Sequence, residues 1–181
     1  MAALPKMEMS HIGIWVTDFE RMKNFYMRMF GMVVSDEGLL HGAAYAFLTR
    51  DPRDHHQIVV AQGRAPGTET TINQISFRVA DLADLKRVHQ TVTTDGDVQK
   101  FLITDHGNAW SVYFWDPEGN RLEAFMDTPW YINQPHRYDL DLTLPDEEIY
   151  SRSEAHAKAD PTFRPIEDWR AMIAKELVPA E

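Results

Sequence analysis

Met9-Ser-His-Ile-Gly-Ile-Trp-Val-Thr-Asp18 returns 63 residues later as Ile72-Asn-Gln-Ile-Ser-Phe-Arg-Val-Ala-Asp81. The same offset of 63 relates His11 to Gln74, Val16 to Val79 and Asp18 to Asp81. Each stretch alternates in part between apolar and other side chains, as a half-buried strand does. Each ends on an aspartate able to cap a following helix. Each also begins with a ligand-capable side chain, His11 in one copy and Gln74 in the other. A duplicated module with a site between its copies is the reading that follows.

The rest of the chain extends the repeat. After Asp18, Met22, Phe25, Tyr26 and Met29 fall at i, i+3, i+4 and i+7, which buries one helix face. Gly31 is a C-terminal stop, and strands are expected at 32–35, 43–49 and 56–61. After Asp81, Leu85, Val88 and Val92 line one side of a second helix, Gly96 follows it, and strands are expected at 99–103, 109–114 and 121–125. Asp116-Pro-Glu-Gly-Asn120 reads as a turn, with Asp51-Pro-Arg-Asp54 as its counterpart. Each half is strand–helix–strand–strand–strand and too short to bury its sheet alone. The expected organisation is a single domain over 1–130, with modules at about 7–63 and 70–127, and an extension over 131–181. In the extension, Pro145 and Pro165 precede acidic residues and mark two helix starts. Trp169, Met172, Ile173 and Leu177 give the last helix an apolar stripe, for packing on the body or on a second subunit.

Bulk properties narrow the function. The 181 residues are 44% hydrophobic, with no cysteine and a net charge of −10. Disulfides, thiolate ligands and a cysteine nucleophile are excluded. Any metal must be held by His, Asp, Glu or neutral oxygen donors. The acidic balance disfavours a phosphate backbone as partner. No apolar run approaches the ~18 residues of a membrane span. The opening Met-Ala-Ala-Leu-Pro-Lys lacks the apolar core of a signal peptide. A cytoplasmic protein contacting neither nucleic acid nor membrane is expected.

The doubled strand–helix–three-strand module, His11, and Tyr113-Phe-Trp-Asp-Pro-Glu-Gly-Asn-Arg-Leu-Glu-Ala-Phe125 resemble the vicinal oxygen chelate superfamily over roughly residues 7–127. That superfamily includes glyoxalase I, bleomycin-resistance proteins and type I extradiol dioxygenases. The resemblance implies an α+β fold in which two βαβββ modules form a U-shaped mixed sheet around a central cleft, with the helical tail appended. His55-His56, His106 in Asp-His-Gly-Asn, and Tyr113 ten residues before Glu123 are most similar to the one-domain extradiol dioxygenases. Carried over, His11 and Glu123 match metal ligands, His56 matches the acid–base residue, and His106 and Tyr113 match residues that contact substrate. Gln74 departs from the pattern, because the dioxygenases place their second metal histidine there. The glyoxalase I branch does use a glutamine ligand. Its fourth ligand, however, would fall on Ile58 or Val60, and both are apolar.

His11, Gln74 and Glu123 together would offer one nitrogen and two oxygen donors, leaving open positions as in facial-triad Fe(II) sites. Fe(II) is the implied metal, with Mn(II), Zn(II), Ni(II) or none as alternatives. His56 would take and return a substrate proton, since imidazole titrates near neutrality. Glu123 lies between Leu122 and Ala124, and a buried carboxylate needs a partner. Each residue also has an ordinary reading: a satisfied strand histidine, a cleft glutamine, a solvent-facing His55-His56 pair, a core Tyr113. His41, His89, His136 and His156 read as surface residues. Trp110, Trp115, Trp130, Phe47 and Phe125 are core or line an aromatic pocket. The resulting expectation is an oxidoreductase opening a catechol-type aromatic with O2, with small aromatic substrate and O2 as partners and a homodimeric assembly. The alternatives are an isomerase or lyase acting through a metal-bound enediolate, and a metal-free small-molecule binding protein of the bleomycin-resistance type.

Overall fold

A computed structural model describes residues 7–177, so the opening hexapeptide read for a leader lies outside the described residues. The chain divides into two compact units, 7–71 with Asp116–Gly119, and 72–115 with the remainder from Asn120.

The first unit contains β1 (Ile12–Val16), α1 (Phe19–Phe30), β2 (Val33–Leu40), β3 (Ala43–Thr49) and β4 (Ile58–Gln62). Its sheet runs β1-β4-β3-β2, with β1 parallel to β4 and the other pairs antiparallel. The side chain of Asp18 accepts the Arg21 amide and starts α1, and Gly31 ends the helix at φ 63°. Ile14, Val16, Ala46, Leu48, Ile58 and Val60 are buried on one sheet face, and Phe19, Met22, Phe25 and Tyr26 of α1 are buried with them. Burial of each Val, Leu, Ile, Phe or Met in this set stabilises the unit by roughly 1.5–3 kcal/mol.

The second unit repeats the plan with β5 (Ile75–Arg78), α2 (Leu82–Thr94), β6 (Phe101–Asp105), β7 (Ala109–Trp115) and β8 (Arg121–Asp127), in the order β5-β8-β7-β6. The side chain of Asp81 accepts the Asp84 amide as its helix cap. Trp110 and Trp130 are core residues here. Both modules thus have the same βαβββ topology, and the α+β class read from the repeat holds.

The tail folds onto the second unit. It comprises β9 (Trp130–Tyr131), α3 (Asp146–Lys158), β10 (Arg164–Pro165) and α4 (Ile166–Glu176). Both helices start directly after the prolines that announced them. Trp110 Nε1 donates to Ser153 Oγ at 2.8 Å, Tyr150 meets the Trp110 ring edge-on, and Lys86 Nζ donates to the Leu144 carbonyl at 2.7 Å. Trp169 stacks on Tyr131, while Met172 stays exposed. His136 is half-buried and pairs with Asp160 at 3.0 Å, so it is not the plain surface residue expected.

Asp116-Pro-Glu-Gly119 joins two strands of the second unit but belongs to the first. Its turn is built like its counterpart. The Asp116 side chain accepts from the Glu118 amide as Asp51 accepts from the Arg53 amide, and each aspartate carbonyl accepts from the residue three on. Gly119 supplies the positive φ of 83°. Glu118 then receives the Thr17 amide at 2.8 and 2.9 Å and the Asp18 amide at 2.7 Å. Arg64 stands 3.6 Å away. The carboxylate therefore sits where the positive end of α1 favours an anion. Glu118→Ala should destabilise the protein by about 1–2 kcal/mol, read as a lower urea midpoint. An unchanged midpoint would show that water replaces these bonds at no cost.

Candidate metal and acid–base site

In each unit, the sheet face opposite the helix carries the polar and aromatic residues. In the first unit, strand alternation puts His11, Gly13 and Trp15 on this face, beside Val59, Phe47 and Tyr45. His11 and His56 come together, with ring centroids 4.2 Å apart and planes tilted at 53°. Phe47 supports the His56 ring edge-on at 5.1 Å. Burial, then the neighbouring His11 and His55, lower the proton affinity of His56 below that of an ordinary imidazole. These surroundings favour the neutral ring. His55 bridges from His56, Nδ1 to Nδ1 at 2.9 Å, to Asp36, Nε2 to Oδ2 at 2.6 Å.

In the second unit, the corresponding face carries Gln74, Ser76, Tyr113, Arg121, Glu123 and Phe125, with Ser76 and Tyr113 each directly opposite Glu123. Glu123 is only 7% exposed. Its Oε2 accepts from Ser76 Oγ at 2.5 Å and from Gln74 Nε2 at 2.9 Å. Tyr113 also hydrogen-bonds to this carboxylate, and burial followed by the Glu123 bond raises the phenol's pKa, which keeps it protonated. His106 Nε2 lies 3.0 Å from the Tyr113 hydroxyl, and its Nδ1 lies 2.8 Å from the His136 carbonyl. A carbonyl only accepts, so Nδ1 carries a proton. In the neutral ring Nε2 is then an acceptor, so His106 and Glu123 compete for the single Tyr113 proton. His11 and His56 are thus joined in one unit, and Gln74, His106, Tyr113 and Glu123 in the other.

Register corrects one expectation. Glu123 lies opposite Ser76, and the matching pair in the first unit is Val59 opposite Gly13. The first-module counterpart of Glu123 is therefore Val59. Ile58 and Val60 point to the buried helix face. The repeat offset drifts between β1 and β4, so neither extrapolation landed on this residue. Val59 is also apolar, and a fourth ligand is still absent at that position.

Sequence reasoning missed Arg121, Ser76, Trp15, Tyr45 and Asp36. Arg121 Nη2 donates to Asn73 Oδ1 at 2.5 Å and to Gln74 Oε1 at 3.1 Å, and the guanidinium lies over the Tyr113 ring. The i, i+2 relation of Arg121 to Glu123 could have flagged it. Trp15 is 57% exposed and meets Tyr45 edge-on.

The donor chemistry bears on a metal in two ways. Glu123 is a buried carboxylate whose partners, Ser76, Gln74 and Tyr113, are all neutral donors, and such an anion suits a divalent cation. Gln74 turns its N–H to Glu123 and its oxygen to Arg121, so acting as a ligand requires the amide to rotate by half a turn. Among the described residues, no group of three His, Asp or Glu is placed to hold a metal.

Residues 8–124 match the Glyoxalase/Bleomycin resistance protein/Dioxygenase superfamily. The chain belongs to this superfamily. A relative from Rhodococcus globerulus, biphenyl-2,3-diol 1,2-dioxygenase 2, is 29% identical over 163 residues, 80% of this chain and 81% of that protein. A glyoxylase/bleomycin resistance protein/dioxygenase domain from Frankia sp. EAN1pec shares the fold at TM-score 0.57, with 20% identity over 70% of this chain and 100% of that one. A fosfomycin resistance protein from Listeria monocytogenes, solved with Mn(II) and sulfate, shares it at TM-score 0.54, with 16% identity over 68% of this chain and 95% of that one. Among the described residues, no helix is long and apolar enough to cross a membrane.

Proposed function

We propose that this superfamily member is a metal-dependent oxidoreductase of the extradiol type, which opens a catechol-like aromatic with O2 in the cytoplasm. The observation that carries this reading is the pair of acid–base constellations: His56 against His11 on one sheet, and the His106–Tyr113–Glu123 chain on the other. The name of the Rhodococcus relative, a biphenyl-2,3-diol dioxygenase, supports the substrate class. His11, Gln74 and Glu123 are the proposed ligands, with Fe(II) the first choice and Mn(II) the second. When bound, the metal would hold a catechol and O2 in one place and lower the entropic barrier between them.

The protein's own residues supply the rest. His56 accepts a substrate hydroxyl proton and later returns it. Tyr113, kept protonated by burial and by Glu123, has its single O–H committed to Glu123 or His106, so its oxygen accepts a hydrogen bond from a substrate hydroxyl. His106, anchored on the His136 carbonyl, holds that phenol in place. Phe47, Trp15 and Tyr45 offer aromatic surface to a planar substrate.

The identity of Gln74, a neutral oxygen donor where the dioxygenases have a histidine, favours a second reading, isomerase or lyase chemistry on a different metal. Elemental analysis separates the two, on protein made in metal-replete medium and handled without oxygen. Near-stoichiometric iron or manganese, with O2 uptake on adding catechol, supports the dioxygenase. Zinc or nickel moves the assignment to the isomerase or lyase. No metal, with tight catechol binding and no turnover, leaves a binding protein. Gln74→His should raise Fe(II) affinity by at least the ~10–100-fold that groups merely supporting a ligand are worth. Unchanged affinity in a metal titration would remove position 74 from the ligand set.

A further inference from the structure

We infer that Asp36 and His55 are positioning residues that fix the tautomer of His56, leaving its Nε2 as the proton acceptor. The inference rests on the proposed role of His56, but its evidence lies wholly within the first unit.

The first observation is a break in register. Val34 pairs with Leu48, yet Asp36 pairs with Phe47, which leaves Ser35 as the extra residue of a β-bulge. Without it, Ser35 would oppose Phe47 and Asp36 would oppose Ala46, on the buried face against α1. The bulge moves Asp36 to the face that carries His11 and His56. Ser35 itself is tied back by its hydroxyl, which donates to the Phe47 carbonyl at 3.1 Å. Bulges recur where a side chain must be re-aimed beside a functional site.

The second observation is the chain of contacts that results. Asp36 Oδ2 lies 2.6 Å from His55 Nε2, and His55 Nδ1 lies 2.9 Å from His56 Nδ1. A carboxylate only accepts, so His55 Nε2 carries the proton. With one proton on each imidazole, His55 Nδ1 is bare and must accept. His56 Nδ1 then donates, and its own proton is fixed there. The remaining lone pair of His56 is on Nε2. A carboxylate two groups away thus determines which nitrogen of His56 can take a proton. The contacts also hold the ring in place, as partners of a functional histidine do elsewhere. His55, read from sequence as a solvent-facing neighbour, becomes the link between them.

The test exploits a reversal of polarity. In Asp36→Asn, the amide can donate to His55 Nε2. His55 then carries its proton on Nδ1 and donates to His56, whose proton moves to Nε2. Asp36→Glu retains an acceptor. Long-range 1H–15N correlation spectra of the full chain, stripped of paramagnetic metal and held at about pH 9 so that imidazoles carry one proton each, report the tautomer directly. Expected are Nδ1–H for His56 in the wild type and in Asp36→Glu, and Nε2–H in Asp36→Asn. An Nε2–H wild type, or one tautomer shared by all three proteins, overturns the inference. Catechol turnover by the metal-loaded proteins is the second readout. Asp36→Asn should lower kcat by ~100-fold or more, since a positioned acid–base group is worth that much, with KM little changed. A tautomer that reverses in a protein that never turns over catechols leaves the relay standing and removes the dioxygenase reading. Turnover in the wild type with a tautomer indifferent to Asp36 does the opposite.

Discussion

Glu123→Ala is expected to abolish stoichiometric metal binding and catechol turnover while leaving the fold intact. The carboxylate is the one anionic donor in the proposed set, and an imidazole with a neutral amide makes a poor site for a hard divalent ion. Two effects on stability oppose each other. Ser76, Gln74 and Tyr113 lose a shared acceptor. But Ser76 is exposed and can turn to water, and Tyr113 still has His106 as a partner at 3.0 Å. On the other side, a charge that is only 7% exposed is removed from a site where burial penalises it. The stability of the metal-free protein should therefore shift by no more than about 1 kcal/mol. The contrast appears on adding metal. At a hundred times its Kd, a ligand stabilises the native state by about 2.7 kcal/mol. The wild type should show that gain in thermal unfolding, and the variant should show none. A variant that binds metal as the wild type does would remove Glu123 from the ligand set.

The repeat was legible because its signals are local. An aspartate cap, an apolar helix face and a glycine stop need only a few neighbouring residues, and both helices form where those signals stand. Strand limits were legible only where side-chain pattern coincides with pairing. Residues 43–49 meet both conditions. The first strand begins at Ile12, three residues into the repeated stretch that opens at Met9, because β4 offers partners only from Ile58 onward. In β2, Ser35-Asp-Glu-Gly38 looks like a loop, yet β3 supplies ladder partners as far as Leu40.

The site divides along the same line. His11, His56, Gln74, His106, Tyr113 and Glu123 stand out through residue type, spacing and family resemblance. Asp36 could not be seen, since a bulge decides which face it occupies. Glu118 was visible as part of a turn, but its role as receptor for the Thr17 and Asp18 amides spans about a hundred residues of chain. Arg121 and Gln74 illustrate the same limit. The sequence shows a glutamine where a ligand is expected, while cross-strand contacts decide which end of its amide faces the carboxylate.

His56→Ala should lower kcat by ~10²–10⁴-fold, the range of a positioned general acid–base group, with metal content unchanged. Two facts make His56 the better candidate for this role than His106. His106 has a proton fixed on Nδ1 by a carbonyl and its Nε2 engaged with Tyr113, so both nitrogens are committed to protein partners. His56 has only Nδ1 committed, to His55, and its surroundings favour the neutral ring. The variant carries one confounding effect, because His56 packs against His11 at 4.2 Å and its loss frees that ring. Metal affinity must therefore be measured alongside kcat. A fall in kcat at full metal occupancy assigns the proton transfer to His56. A fall restored by excess metal shows that the histidine served to hold His11 in place. A kcat within a few-fold of wild type transfers the role to the His106–Tyr113 pair, where Tyr113→Phe would then carry the large effect.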